Sequence, residues 1–366
     1  MSLGVSPATQ PKQRLSEIDG IRGWAACIVL MQHFVTIYAK LFPELNHPTF
    51  ILLNGALAVQ IFFVLSGDAL SAAFFATGKR RSIDVLLLKR YPRLTFPILI
   101  ACLAVYAVNV LGLNFHGQAA PLILRESWHG APPDDFGGMI FYSFIRVFLE
   151  LPTSANVYHP FLWTMRLELI GSLGVFAFLY LLPRLPNPVL LLAGAAGLMF
   201  YIAPDFAGFP IGVLFGWLRQ RGVFARLNRS ESAQIISWVF LAFLTLLTEF
   251  LPQSMSVQVL VVFAAAFVGS LYCNTLCLRF FQNSLSRFLG DLSFPLYVMH
   301  YAILISLTSF AIVWVQGQLG LTPLTVTGII FVSLIACLAV AWLVRQIEKP
   351  YLRLLDISVK YMLKDK

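Results

Sequence analysis

The sequence predicts an all-α protein, a polytopic bundle of about ten membrane-crossing helices, and three observations carry that prediction. First, the 366-residue chain is 58% hydrophobic and only 12% charged, with a mean hydropathy of +0.79; so little charge cannot solvate an ordinary globule of this length. Second, apolar runs of membrane-spanning length, about 20 residues for a ~30 Å hydrocarbon core, recur along the whole chain. Third, the basic residues fall at alternate ends of these runs. Of the 26 Lys and Arg, all but Lys40, Arg125, Arg146 and the embedded Arg166 lie on one side if the runs cross in turn. Positive residues concentrate on the cytoplasmic side of membrane proteins, so both termini are expected to be cytoplasmic.

In chain order, residues 1–21 are polar and lack the short apolar core and small-residue cleavage site of a signal peptide, so they read as a cytoplasmic segment before a retained first helix. The expected spans are 23–40, 53–77, 94–113, 161–182, 188–204, 207–219, 235–252, 255–276, 290–315 and 324–345. The run at 207–219 is short, and the alternation of basic loops requires it to cross. Residues 22–346 thus form one transmembrane domain and 347–366 a cytoplasmic tail. The longest stretch between spans, 114–160, is expected outside; it carries His116, Trp128, His129, Asp134, Asp135, His159 and the amphipathic run GGMIFYSFIRVFLE. Segments of that length are often functional lids, or exposed loops with an interfacial helix. The net charge of +9 follows from the same one-sidedness and suits anionic headgroups or an anionic cytoplasmic ligand, with no nucleic acid needed. The five cysteines fall mostly in apolar runs, without disulfide or zinc spacing, and no metal site is expected.

The first span carries the sharpest chemical signal. Arg22 and His33 are eleven steps apart in IRGWAACIVLMQHF. On a helix they share a face, with the imidazole about 16 Å beyond the guanidinium. Ionisable groups inside a membrane are costly and usually functional. Glu168 and His300 fall at similar depth by rise arithmetic, with Tyr297 on the face of His300.

Several runs then occur in an order that resembles the membrane-bound acyltransferase-3 family: IDGIRGWAACIVLMQHF (18–34), with its Arg-x10-His motif, FFVLSG (62–67), KRYPRL (89–94), FLWTMRLEL (161–169), LGDLSFPLYVMH (289–300) and IEKP (347–350). The resemblance covers essentially the whole chain. It implies transfer of an acyl group, commonly acetyl, from cytoplasmic acyl-CoA to a hydroxyl of a carbohydrate or lipid-linked acceptor, in the cell (cytoplasmic) membrane. Two positions depart from the pattern: Trp163-Thr164-Met165-Arg166-Leu167-Glu168 stands where Trp-Ser-Leu-x-x-Glu is usual, and Asp68 occupies an apolar position. Both are expected to alter the charge lining the site.

Within that frame, His33 is the expected base, because an imidazole is neutral near pH 7. Glu168 either orients an imidazole or pairs with Arg166 or another cation. His300 is a second catalytic candidate or a packing histidine. Arg22, Lys89, Arg90 and Arg93 are candidates for the phosphates of the donor, since guanidinium groups match phosphate bidentately; Asp19, one turn before Arg22, is expected to fix it. A secondary transporter using the same buried charges for substrate and proton coupling is the alternative.

Overall fold

The computed structural model describes residues 15–42, 53–123, 135–151, 158–250 and 255–363. Trp128, His129, Asp134, Arg125 and the basic residues before Leu15 lie outside that set. The described residues are helical throughout, with no strand. The longer helices are α1 (Ser16–Leu41), α2 (Gly55–Thr77), α3 (Arg80–Val110), α4 (Phe136–Leu149), α5 (Thr164–Leu181), α6 (Pro188–Ile202), α7 (Gly208–Gln220), α8 (Glu231–Phe250), α9 (Val257–Tyr272), α10 (Ser284–Gln318) and α11 (Pro323–Met362). Asparagine side chains start several of them: Asn54 accepts from the Leu57 amide at 2.9 Å and Asn283 from the Ser286 amide at 2.8 Å, which satisfies donors that a helix leaves unpaired.

Six helical stretches, Ser16–Tyr38, Gly55–Thr77, Arg80–Val110, Pro160–Arg184, Ser284–Gln318 and Pro323–Met362, are long and apolar enough to cross a membrane. A seventh is available if α9 and the short helix Thr275–Phe281, bent by 97° at their junction, count as one span. The runs expected to cross at 188–204, 207–219 and 235–252 are occupied by α6, α7 and α8, of which α6 has 15 residues and α7 13. Hydropathy locates the apolar centres; the helices overrun them. α3 starts at Arg80, where the sequence suggests a basic loop before 94, and α11 continues for 40 residues through the expected boundary at 346/347. The overrun is paired: Tyr351 of α11 stacks on Phe96 of α3 with ring centroids 4.0 Å apart, its hydroxyl donates to the Pro92 carbonyl at 3.0 Å, and Lys89 meets Asp356 at 2.6 Å. α4 is helical as its periodicity suggests, with a π turn at Tyr142–Arg146; its outward face shows Phe136, Phe141 and Leu149.

Two helix pairs touch backbone to backbone through glycine. A Cβ on Gly23 of α1 would collide with the Gly290 amide nitrogen of α10, and one on Gly290 with the Asp19 carbonyl. Likewise a Cβ on Gly67 of α2 would strike the Phe209 carbonyl of α7, and one on Gly212 the Val64 carbonyl. Small residues at such crossings let helices approach closely where lipid supplies no hydrophobic drive between them. Along the second pair, Phe63 meets Gly208 and Ser71 meets Gly216, so α2 and α7 run in the same direction. α1 and α10 do the same, because His33 and His300 both lie ten residues beyond the Gly23–Gly290 contact and meet there.

Gly23→Ala should therefore lower the stability of the detergent-solubilised protein by about 1–3 kcal/mol, the usual cost of overpacking. Gly174→Ala, whose added methyl meets nothing within 4 Å, should be neutral or slightly stabilising, as alanine is in an open helical position. Paired thermal melts measure both; equal melting shifts would show that the α1–α10 approach is not close.

Candidate active site

Two polar clusters lie along α1, one at each end of its Arg22–His33 face. The first gathers guanidinium groups around one carboxylate. Arg90 of α3 bonds Glu168 of α5 from Nη2 to Oε1 at 2.7 Å, and its Nε donates to Ser172 Oγ at 2.9 Å. Ser66 of α2 donates to the same Oε1 at 2.6 Å. Ser66 precedes the Gly67 contact with α7, which gives the Ser-Gly pair a divided role: the glycine brings α2 against α7 and the serine holds Glu168. Arg22 lies in the field of Glu168, Arg90 and Asp19 and sits 5.9 Å from the Phe62 ring centroid. Its buried Nε has no hydrogen-bond partner among the described residues. Arg93 feels Arg22, Arg90, Glu348 and Arg345 and still keeps an exposed side chain, so it lines a crevice and not packed core.

Beside it, Arg345 holds Asp291 bidentately at 2.7 and 3.0 Å and Glu348 at 2.9 Å. These contacts tie LGDLSFPLYVMH to IEKP. Lys89 is turned away to Asp356, so among the four expected phosphate ligands it stands apart from Arg22, Arg90 and Arg93.

The second cluster is aromatic. His33 and His300 stack with centroids 5.2 Å apart, and Phe161 lies against both, at 4.0 and 4.7 Å. His300 Nδ1 is 2.6 Å from the Tyr297 carbonyl; a carbonyl only accepts, so Nδ1 carries the proton and Nε2 of the neutral ring presents its lone pair. That Nε2 is buried and without a partner among the described residues. The Tyr297 hydroxyl donates to the Phe161 carbonyl and meets Thr164 Oγ1 at 2.8 Å. His159, which the sequence places only in the external segment, is buried here and bonds the Val298 carbonyl through Nε2 at 2.9 Å. Burial, with His300 close by, pushes its pKa down to about 3, so it stays neutral.

The structure thus brings His33 to His300 and Arg22 to Arg90 and Arg93, while Glu168 goes to the arginines. Thr164 is level with Tyr297 and the histidines; Glu168, one turn further along α5, falls about 6 Å toward the arginine end. Its cation is Arg90, one of the cations other than Arg166 that the sequence leaves open as partners. Asp68, where the sequence leads to an expectation of altered charge at the site, has its carboxylate held by Arg219 at 2.5 Å and by the Tyr272 hydroxyl at 2.8 Å, with Glu17 on the other arm of Arg219 at 2.8 Å, so one cation is shared by two carboxylates. Sequence reading misses Ser66, Ser172 and the ring of Phe161. Ser66 and Phe161 lie inside FFVLSG and FLWTMRLEL, and Ser172 sits at i+4 from Glu168, a spacing that places both on one face.

The acyltransferase-3 family model, described as an acyltransferase domain, matches residues 15–343, a span that includes Arg22, His33, Arg90, Arg93, Glu168 and His300 and ends just before Arg345 and Glu348. The chain belongs to that family and is a membrane acyltransferase. No curated protein and no solved structure matches it.

Breaking the Arg90–Glu168 pair from either side should be costly, about 3–5 kcal/mol, because the remaining charge is buried without its partner. Arg90→Ala combined with Glu168→Ala should cost less than the sum of the two. A double-mutant cycle in detergent melts measures the coupling; strictly additive losses would mean the two side chains do not meet.

Proposed function

We propose that this membrane acyltransferase is an O-acyltransferase that takes an acyl group, commonly acetyl, from cytoplasmic acyl-CoA and passes it to a hydroxyl of a carbohydrate or lipid-linked acceptor. One observation carries the reading: a single helix, α1, joins the arginine cluster at Arg22 to the two-histidine cluster at His33. The separation, about 16 Å along the helix, suits a long donor whose charged end and reactive end are far apart. The alternation of basic residues supports a cytoplasmic arginine end and cytoplasmic termini.

In this reading the donor phosphates lie against Arg22, Arg90 and Arg93, where planar guanidinium groups offer paired donors. The thioester reaches the histidine pair. His33 takes the proton of the acceptor hydroxyl as the oxygen attacks the thioester carbon; the carbon–oxygen bond forms, the carbon–sulfur bond breaks, and the departing thiolate receives the proton from the imidazolium. The acceptor hydroxyl has one proton and gives it to His33, so His300, whose Nε2 lone pair can only accept, is left to receive a hydrogen bond from a neighbouring hydroxyl of the acceptor and so orient it.

His33→Ala should cut turnover about 10²-fold or more in native membrane vesicles, which hold the acceptor, the contribution expected of a positioned base, while the protein stays folded in the membrane. His33→Gln keeps polarity and should lose as much. Thiol release from acetyl-CoA measures it, and near-normal turnover in both variants would move the base to His300.

Arg22→Lys should raise the Michaelis constant for acyl-CoA, since an ammonium lacks the two-donor fork, and leave that of an acyl-pantetheine without nucleotide phosphates nearly unchanged. Equal losses on both donors would mean that Arg22 braces the helices and binds no phosphate.

A further inference from the structure

The ring of Phe161 takes no part in the chemistry just described, yet it lies against both imidazoles. It lies 4.0 Å from the His33 ring centroid and 4.7 Å from that of His300, within 9° of parallel to the latter. Tyr301 meets the ring edge-on at 5.4 Å, and His159 stands at 6.1 Å. The backbone is pinned as well: Phe161 begins in the 3-10 turn Pro160–Trp163, its carbonyl accepts the Tyr297 hydroxyl, and Tyr297 is itself held by Thr164. A ring fixed on both the backbone and the face sides cannot swing aside cheaply, because interiors are close-packed and rotamer changes need room.

Because its ring lies against both imidazoles, any acyl group brought within hydrogen-bond reach of their nitrogens becomes a neighbour of Phe161. An acetyl methyl asks least of the space beside the ring, whereas each further methylene competes with it for the same volume. We infer that Phe161 sets the length of the acyl chain this site accepts and holds it to short acyl groups. The inference rests on the reading of the histidine pair as the site of acyl transfer and adds the residue that gauges the donor.

Native membrane vesicles, which hold the acceptor, are loaded with the wild type or with Phe161→Ala, Phe161→Leu or Phe161→Trp and offered acetyl-, butyryl-, hexanoyl- and octanoyl-CoA, and release of free thiol above vesicles without the protein is followed. Discrimination by one methylene in an apolar pocket is typically about 10–200-fold. The wild type should therefore prefer acetyl-CoA, and Phe161→Ala should raise the hexanoyl-to-acetyl ratio of kcat/KM by at least about tenfold on that scale. Phe161→Leu should give a smaller rise, and Phe161→Trp should lower the butyryl-to-acetyl ratio. Leucine and tryptophan retain an apolar body at 161, so they answer the question if the alanine variant does not fold. The affinity for coenzyme A itself, which has no acyl chain, should be the same in all four proteins.

Unchanged chain-length ratios in variants that still turn over acetyl-CoA would overturn the inference, as would a wild type that uses hexanoyl-CoA as well as acetyl-CoA. Release of thiol from none of the donors by the wild type would instead remove the acyl-CoA reading on which it stands.

Discussion

The backbone contact between α1 and α10 is the constraint on which the site depends. Gly23 and Gly290 meet with no room for a side chain, and Trp24 locks the pair further by donating to Ser286 at 3.0 Å. Because both helices rise in the same direction from that point, equal numbers of residues bring His33 and His300 to one level, where their rings stack. The register of the histidines is thus decided about 15 Å away from them, at the glycines. A larger residue at either glycine would separate the imidazoles without touching them.

Charge burial explains much of what surrounds this axis. Carboxylates drawn into the protein find partners on other helices: Glu168 with Arg90, Asp68 with Arg219, Asp291 with Arg345. A buried pair of this kind adds little net stability, since desolvation offsets the attraction, but a partner removed leaves a strongly disfavoured lone charge. The pairs therefore act as registration devices between helices. Arg22 and Arg93 stand beside these pairs at the crevice, with an Arg22 Nε that has no partner among the described residues and an exposed Arg93. In the proposed reading, that imbalance receives the phosphates of the donor.

The helical class and the position of most helices were legible because a membrane allows no other backbone arrangement over so many apolar residues. Helix ends were less so. Hydropathy marks where lipid would be, whereas α3 and α11 continue past it, held by contacts such as Tyr351 with Phe96 that join residues far apart in sequence. That His33 and His300 share a level followed from counting the rise of each span; that their rings meet did not, because depth does not say which helices are neighbours. Glu168 is misplaced by the same counting, because a single helical turn separates the histidine level from the arginine level and span boundaries are not known that finely. Phe161 was invisible as a site residue: an apolar side chain at the end of an apolar run carries no signal until its neighbours are known. Asp68 stands out in the sequence as an odd charge, but its partners Arg219 and Tyr272 lie 151 and 204 residues away.

The central claim is that one donor molecule spans α1 from the arginine cluster to the histidine pair. A cryo-electron-microscopy structure of the full-length protein with coenzyme A in lipid nanodiscs tests it most directly. Phosphate density is expected against Arg22, Arg90 and Arg93, with the pantetheine arm running along α1 and its thiol beside His33 and His300. Coenzyme A bound on another face, or with its thiol turned away from the two imidazoles, would contradict it.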